Sequence, residues 1–475
     1  MKLIISCLIV LVIIGGLICS YGLDVREVQK AIENRGAAWT ADENRFTRLS
    51  PEAKKRMLGA LPEPQKKSAA SLNPPLTSLS LSALPPSLDW RDKDGKNFIS
   101  QIRDQGSHGT CAAFSTIACL ESLLKIQADD PDLYVDLSER FLFAYGGGDD
   151  TLGWWASHAA DFLMTVGVIS ESASPYSEWD GSTPTDSATP YLMNNSTYLI
   201  ESWDEVFYQY LPLPQYENQV KTALMEVPIV AMMEVYEDFY SYSGGVYEKV
   251  SGNYLGNHLV ELIGWDDGQD CWICKNSWGT SWGESGFFRV RKSTMGHTNF
   301  PSYAIRFYPR TSSGMRYYKS SHVPASIPDP GFISTSCEVR GLADATDITF
   351  QIFLSHNRVG DVAFQLFSPL EQSAILINKK AATHPDFEDL FLNDKCLWSL
   401  SEFIASHDQL GFDFYRGCVK PDNSLYALLY NSPYGFWNLN ASDDMPGEAG
   451  HIDSWGLFFA AQRVTSADPE VWNLY

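Results

Sequence analysis

The chain has 475 residues, 44% of them hydrophobic, which is enough to build two or three domains with cores of their own. Its 58 acidic against 35 basic residues give a formal charge of −23 with no basic run above background, which speaks against nucleic acid as a partner. An acidic surface favours solubility and carries no information about fold.

Residues 1–22, MKLIISCLIVLVIIGGLICSYG, begin with a single lysine, run apolar from Leu3 to Cys19 and leave through Ser20-Tyr21-Gly22. At 17 residues the run is at the short limit for a membrane span and fits a cleaved signal peptide, with an uncleaved anchor as the alternative. No later stretch is long and apolar enough to cross a bilayer. The chain is therefore expected to be secreted or held at the cell surface, with no membrane span once the signal is cleaved.

Residues 23–85 read as a short helical segment followed by a linker. EVQKAIENRGAAW and LSPEAKKRMLGAL set charged faces against Val28, Ile32, Met57 and Leu58. In LSPE, Ser50 is placed as an N-cap with Pro51 in the first turn. From 62 to 86 the composition shifts to Pro, Ser, Ala and Leu, which suits a proteolytically open linker.

Residues 86–310 form the next unit. GTCAAFSTIACLESLLKI predicts a helix with Cys111 in its first turn, and PIVAMMEV, NHLVELIGW, DCWICKNSW and GFFRVRK predict strands. A thiol at a helix N-terminus is favoured as thiolate, although a buried cysteine is commonly no more than a small apolar residue. His258 opens an apolar strand, and Asn276 follows among turn glycines and tryptophans. An amide there could accept the Nδ1 proton of the imidazole and fix its orientation. Gln105, six residues before the thiol, could offer its side-chain amide to an oxyanion beside the Cys111 backbone N–H.

Of nine cysteines, Cys7 and Cys19 lie in the leader, and the remaining seven leave room for a free thiol beside disulfides. The pairing of Cys337, Cys396 and Cys418 stays open. Cys271 and Cys274 are three apart on a strand and so face opposite ways, which suits packing better than a redox pair or a metal clamp.

QGSHGTCAAFS, NHLVELIGW and KNSWGTSWGESGFFRV together resemble the papain family of cysteine peptidases. DWR at 89–91, LSE at 137–139, DFYSYSGGVY at 238–247 and FYP at 307–309 fall in the family's order, and His258 stands 147 residues beyond Cys111. The resemblance implies an α+β fold: a two-lobed catalytic domain, with a helical left lobe carrying Cys111 and a β-barrel-like right lobe carrying His258. It implies Cys111 as nucleophile, His258 as general acid/base and Asn276 as its orienting amide. Trp278 would shield their hydrogen bond, and Gln105 would complete the oxyanion hole. The reaction would be peptide-bond hydrolysis through a thioester, with no cofactor required, polypeptides as substrates and the chain's own propeptide as inhibitor. Met232, Leu259 and Ile305 match the pocket for the second residue before the scissile bond, which predicts a hydrophobic preference there; as plain residues they also read as core. Gly153 is the expected contact to the substrate backbone.

Two positions depart from the family. His108 and Ala112 stand where relatives have a half-cystine and a tryptophan, and no cysteine lies between Cys119 and Cys271 to form that bridge. His108 reads as a polar filler or as a second titrating group, and Trp154 or Trp155 could fill the space beside Ala112.

After a linker at 311–323, residues 324–475 alternate short apolar runs (ITFQIFLSH, VAFQLFSP, LYALLYN) with turns, which predicts an antiparallel β-sandwich. IPD at 327–329, SHNRVGDVAFQLFSP, GFWNL and DDMPGEAGHIDSWGLFF resemble the P domain of proprotein convertases, an all-β jelly-roll sandwich. Asp443, Asp444, Glu448 and Asp453 could ligate a structural Ca²⁺ or form a solvated acidic loop. Asn194, Asn195 and Asn440 lie in N-x-S/T sequons. The chain is expected to be a monomer. Two further readings remain: a silent surface protein that binds through its C-terminal domain, and an acyltransferase that passes the thioester to an amine.

Overall fold

A computed structural model describes residues 23–63, 84–184, 187–206, 213–292, 300–310, 315–342, 344–380, 386–412, 414–429, 432–447 and 449–460. The expected signal peptide, most of the first linker and Glu448 lie outside them.

Helix α1 (Val25–Arg35), strand β1 (Trp39–Ala41) and helix α2 (Pro51–Arg56) come first. Asp24 caps α1 by accepting from the Arg26 N–H, Gly36 ends it at φ +63°, and its buried stripe is Val25, Val28 and Ile32. Ser50 caps α2 through the Ala53 N–H, with Pro51 in the first turn.

The left lobe gathers α3 (Cys111–Ala128), α4 (Glu139–Gly146), α5 (Ala156–Thr165) and α6 (Thr189–Asn194). Contrary to the expectation that no stretch after the leader is long and apolar enough to cross a bilayer, α3 is so by length and composition, but it is buried on all sides from Cys111 to Leu123, as an apolar helix through a core must be. The right lobe holds α7 (Leu213–Leu224) and strands β2 (Ser87–Asp89), β3 (Ile200–Glu205), β4 (Ile229–Tyr236), β5 (Tyr242–Tyr247), β6 (Tyr254–Asp266), β7 (Cys271–Lys275), β8 (Phe287–Arg291) and β9 (Tyr303–Pro309). With β1 they make one nine-stranded sheet, ordered β1-β5-β8-β7-β6-β4-β9-β3, with β2 on β6. The lobes meet through buried charge as well as apolar contact: Ser122 on α3 donates to Glu261 at 2.6 Å, and Glu261 pairs with Lys275 at 3.4 Å.

The C-terminal region is largely β. Strands β10 (Met315–Lys319), β11 (Ala325–Ile327), β12 (Gly331–Val339), β13 (Asp347–His356), β14 (Val362–Phe367), β15 (Ser373–Asn378), β16 (Phe387–Leu392), β17 (Tyr415–Val419), β18 (Gly435–Asp443) and β19 (Gly450–Ala460) form two sheets. One is ordered β10-β19-β13-β16-β17 with β11 on β19, the other β12-β18-β14-β15. Four details differ from the sequence reading. Within the expected linker 311–323, Met315–Lys319 is strand β10, paired with β19, so the sheet begins earlier than residue 324. β16 and β17 run parallel. LYALLYN holds a 3₁₀ helix, because its buried residues Leu425 and Leu428 are three apart rather than alternating. Helix α8 (Leu400–Leu410) joins β16 to β17, built on a capping box between Ser399 and Glu402 and ended by Gly411 at φ +81°.

The expected calcium ligands do not converge. Asp443 is buried and receives the His356 Nε2 at 3.1 Å, Asp444 pairs with Lys379, and Asp453 accepts from Ser355 at 2.6 Å. Among the described residues no group of three or more His, Cys, Asp or Glu could hold a metal. Cys396 and Cys418 form a disulfide, and Cys111, Cys119, Cys271, Cys274 and Cys337 are free and buried.

The sandwich shares a core with the left lobe. Trp155 stacks on Phe412 at 5.6 Å and 17° and also meets Trp398 and His407. Asp161 of α5 accepts from the Trp203 indole at 2.8 Å and from the Leu397 N–H. The side chain of Arg416 is wholly buried against the carbonyls of Ala144 and Pro184. Every residue of α5 is buried, so the sandwich covers what would otherwise be its outer face. Replacing Phe412 by alanine empties this joint, and large-to-small core changes of this kind cost about 3–5 kcal/mol. Chemical denaturation followed separately by signals from each domain is expected to show the lobe and the sandwich losing stability together; loss confined to the sandwich would contradict a shared core.

Candidate active site

Cys111 is the first residue of α3 and is completely buried. His258, the fifth residue of β6, lies opposite Met233 on β4 and is equally buried. Its Nε2 donates to Asn276 Oδ1 at 2.8 Å. The sequence reading had the Nδ1 proton going to that amide, and the ring is the other way round. Ser277 N–H also donates to Asn276 Oδ1, at 2.8 Å, so this atom must be the acceptor and the shared proton must sit on Nε2. A neutral ring then leaves Nδ1 with a free lone pair, and Nδ1 has no hydrogen-bond partner among the described residues. The Trp278 ring covers the imidazole at 5.0 Å and is itself stacked on Tyr240 at 4.7 Å.

Gln105 is fully buried, and its carboxamide is held at both ends. Oε1 accepts from the Ser277 hydroxyl at 2.6 Å, while Nε2 donates to the Met57 carbonyl at 2.9 Å and the His108 carbonyl at 2.7 Å. The donor expected for an oxyanion therefore already holds a carbonyl, and that carbonyl belongs to the N-terminal segment. Ser277 escaped the sequence reading although it sits inside the quoted KNSW; its hydroxyl, N–H and C=O together orient Gln105 and Asn276.

Residues 57–63 occupy the cleft. The Gly59 carbonyl accepts from Trp154 N–H at 2.8 Å, Leu61 N–H donates to the Trp154 carbonyl at 3.1 Å, and Ala60 N–H reaches the Asn257 carbonyl at 3.4 Å. Glu63 accepts from the Ser157 N–H at 3.0 Å and hydroxyl at 2.6 Å. The backbone pairing with this segment is made by Trp154, one residue after Gly153. Gly153 pairs with Asp149 instead and supplies space: at φ +98° it has no Cβ, and one there would lie 2.3 Å from the Gly59 carbonyl oxygen. Gly59 is wedged still more closely, since a Cβ on it would come within 1.7 Å of the Gly109 carbonyl oxygen.

Met232 lies opposite Leu259 and Tyr303 on neighbouring strands, and Ile305 lies opposite Val230. All are buried and share one apolar cluster with Ala60, and Tyr303, which the sequence did not suggest, is part of it. Of the two tryptophans considered for the space beside Ala112, Trp154 stays in the lobe against Phe143 at 5.7 Å, whereas Trp155 turns to the sandwich.

The segment is anchored on the right lobe. β1 pairs with β5, Arg45 bonds to Asp104 and to the Trp278 carbonyl, Phe46 packs on Trp278 at 5.4 Å, and Tyr240 donates to the Lys54 carbonyl at 2.7 Å. It seals the site from water. Burial pushes the Cys111 thiol up to about 11, partly offset by the backbone amides of Leu259, Gly59 and Ala112. Burial pulls His258 down to about 4, against the hydrogen bond it donates to Asn276. Both shifts favour the neutral thiol and neutral imidazole.

The profile described as papain family cysteine protease matches residues 84–306. The chain is 30% identical over 241 residues to fruit bromelain of Ananas comosus, covering 50% of this chain and 63% of that protein. It is 33% identical over 213 residues to macrodontain-1 of Ananas macrodontes, covering 44% of this chain and 90% of that one. It thus spans less than two thirds of fruit bromelain and most of macrodontain-1. Among solved structures, proCathepsin B S9 from Trypanosoma congolense superposes with a TM-score of 0.52 at 22% identity, over 61% of this chain and 99% of that one, a likeness of fold.

The raised thiol value carries a pH signature. With residues 57–63 in place, alkylation of the sealed Cys111 by iodoacetamide is expected to be slow and to rise only at high pH, because thiolate is the minority species below about pH 11. Removing the segment relieves the burial and should move the curve to lower pH. Peptide mapping at Cys111 across a pH series checks this, and an identical curve in both forms would contradict it.

Proposed function

The chain belongs to the papain family of cysteine peptidases, and on that footing we propose that it is a secreted or cell-surface endopeptidase, made as a zymogen, that hydrolyses polypeptides through a thioester on Cys111. The observation that carries this reading is the Met57 carbonyl, held by Gln105 Nε2 at 2.9 Å while Gly59 lies against the thiol. A peptide already sits where a substrate would, with one carbonyl in the grip of the group proposed to bind the oxyanion.

Once the segment is cut in the linker and leaves, water reaches the thiol and imidazole, and the desolvation that keeps them neutral is relieved. The Cys111 proton passes to His258 Nδ1. Asn276 keeps the Nε2 proton in place and supports the imidazolium that forms. The thiolate attacks the scissile carbonyl, whose oxygen takes the hydrogen bonds of Gln105 Nε2 and the Cys111 backbone N–H. His258 returns its proton to the leaving amine and then draws one from the water that hydrolyses the thioester. Trp154 supplies the backbone pairing for the substrate. The apolar cluster of Met232, Leu259, Tyr303 and Ile305, which now takes in Ala60, favours hydrophobic side chains in the second position before the scissile bond. The C-terminal sandwich is P-domain-like in this reading and serves as a fixed cover for α5.

The test is labelling by a thiol-directed peptidyl epoxide. Processed wild type is expected to be labelled at one site and Cys111→Ala not at all; an unlabelled wild type, or equal labelling of both, would sink the nucleophile assignment. Gly59→Ala is expected to force the segment out of the cleft, so that the uncut chain is labelled too. If uncut Gly59→Ala stays as unreactive as uncut wild type, the segment is not what blocks the site.

A further inference from the structure

The structure assigns a positioning role to His108 and Asp150, an inference that rests on the peptidase reading above. Two loops frame the approach to Cys111. One, 105–110, carries Gln105; the other, 147–153, leads into the backbone of Trp154. They are joined by a single carboxylate. Asp150 Oδ2 accepts from His108 Nδ1 at 2.9 Å, and its Oδ1 accepts from the Gly109 N–H at 3.0 Å, so one side chain grips a ring and the adjacent amide of the facing loop. The imidazole is steadied by aromatic rings, edge-on to Tyr176 at 6.2 Å and tilted against Trp179 at 5.2 Å. Tyr176 continues the tie: its hydroxyl donates to the Gln105 carbonyl at 3.0 Å and contacts the Thr110 hydroxyl at 2.8 Å. The far loop is stiff as well, because Asp149 Oδ1 takes the N–H groups of Thr151 and Leu152.

What this clasp holds still is the carbonyl of His108, which accepts from Gln105 Nε2 at 2.7 Å. That carbonyl and the Ser277 hydroxyl are the two fixed points that aim the Gln105 amide, and Gly109, held by Asp150, forms the wall against which Gly59 is seated. If the clasp is released, residues 108–109 can turn, and the donor then loses its aim although neither it nor the thiol has been altered. A misplacement of about 1 Å at a reacting centre can cost about a hundredfold in rate.

The experiment uses the full chain, processed in the same way for every variant. His108→Ala and Asp150→Ala are each expected to lower kcat on a peptide substrate by about ten- to a hundredfold with KM little changed, because aim is lost in the transition state rather than in binding. His108→Asn, whose side-chain amide places a donor near the position of Nδ1, is expected to restore most of kcat. Iodoacetamide alkylation of Cys111, which needs no oxyanion, should run at the wild-type rate in all three. Wild-type kcat in both alanine variants overturns the proposal, as does a loss of alkylation in parallel with kcat, which would mean general loosening. If His108→Ala fails to fold, Asp150→Ala tests the same contact from the other loop. An active wild type beside indifferent variants sinks the clasp alone; a wild type without thiol-dependent hydrolysis sinks the peptidase reading and this inference with it.

Discussion

Ser277 is the point on which the two side-chain amides of the cleft converge. Its hydroxyl donates to Gln105 Oε1, its carbonyl accepts the Gln105 backbone N–H at 2.9 Å, and its own N–H donates to Asn276 Oδ1. In a buried site each of these groups would cost dearly if left alone, so the set admits one arrangement. A carboxamide can be turned end for end at little steric cost. Here a turn would bring oxygen to oxygen at Gln105 and N–H to N–H at Asn276. The tautomer of His258 and the aim of Gln105 Nε2 follow from that single choice.

The N-terminal segment exploits the same low-dielectric site in the opposite sense. A cysteine–histidine pair is useful when it can exist as thiolate and imidazolium, a state that needs solvation or fixed dipoles. With residues 57–63 in the cleft and Trp278 beneath Phe46, the solvation is gone. The dipoles that remain, the amides facing the sulfur, do not make up for it, and both groups stay neutral. The segment thus acts by filling space and also by changing which protonation state is stable. Its fit depends on glycines meeting glycine: Gly59 lies between Gly109 and Gly153, and no side chain could take its place.

Much of this was legible in the sequence because the signals are local. Cys111 at a helix start, His258 on an apolar strand and Asn276 in KNSW each lie within a few residues of the pattern that betrays them, and the Ser50 cap likewise. What escaped depends on rotation or on distance along the chain. Which nitrogen of His258 faces Asn276 is a matter of ring orientation, and which of Gly153 and Trp154 lends its backbone to the segment in the cleft depends on the turn between them. α8 was overlooked although Ser399, Glu402 and Gly411 mark its ends, because the surrounding apolar runs read as strands. The calcium reading rests on carboxylates close together in one loop, and nothing local in the sequence says that Asp443, Asp444 and Asp453 take different partners. The union of sandwich and left lobe joins residues near 144–165 to residues near 387–418, and neither stretch alone announces it.

Trp154 and Trp155 are consecutive, yet the first lends its backbone to Gly59 and Leu61 in the cleft and the second is sunk among Trp398, His407 and Phe412. One peptide unit therefore separates the rim of the cleft from the C-terminal sandwich. That rim is clamped from behind and cannot give way without dragging a whole domain with it. The wall that carries His258 belongs to the other lobe, which is tied through β5 to β1 of the N-terminal segment instead. The two jaws are unequal by construction, one backed by the sandwich and the other by the segment that fills the cleft.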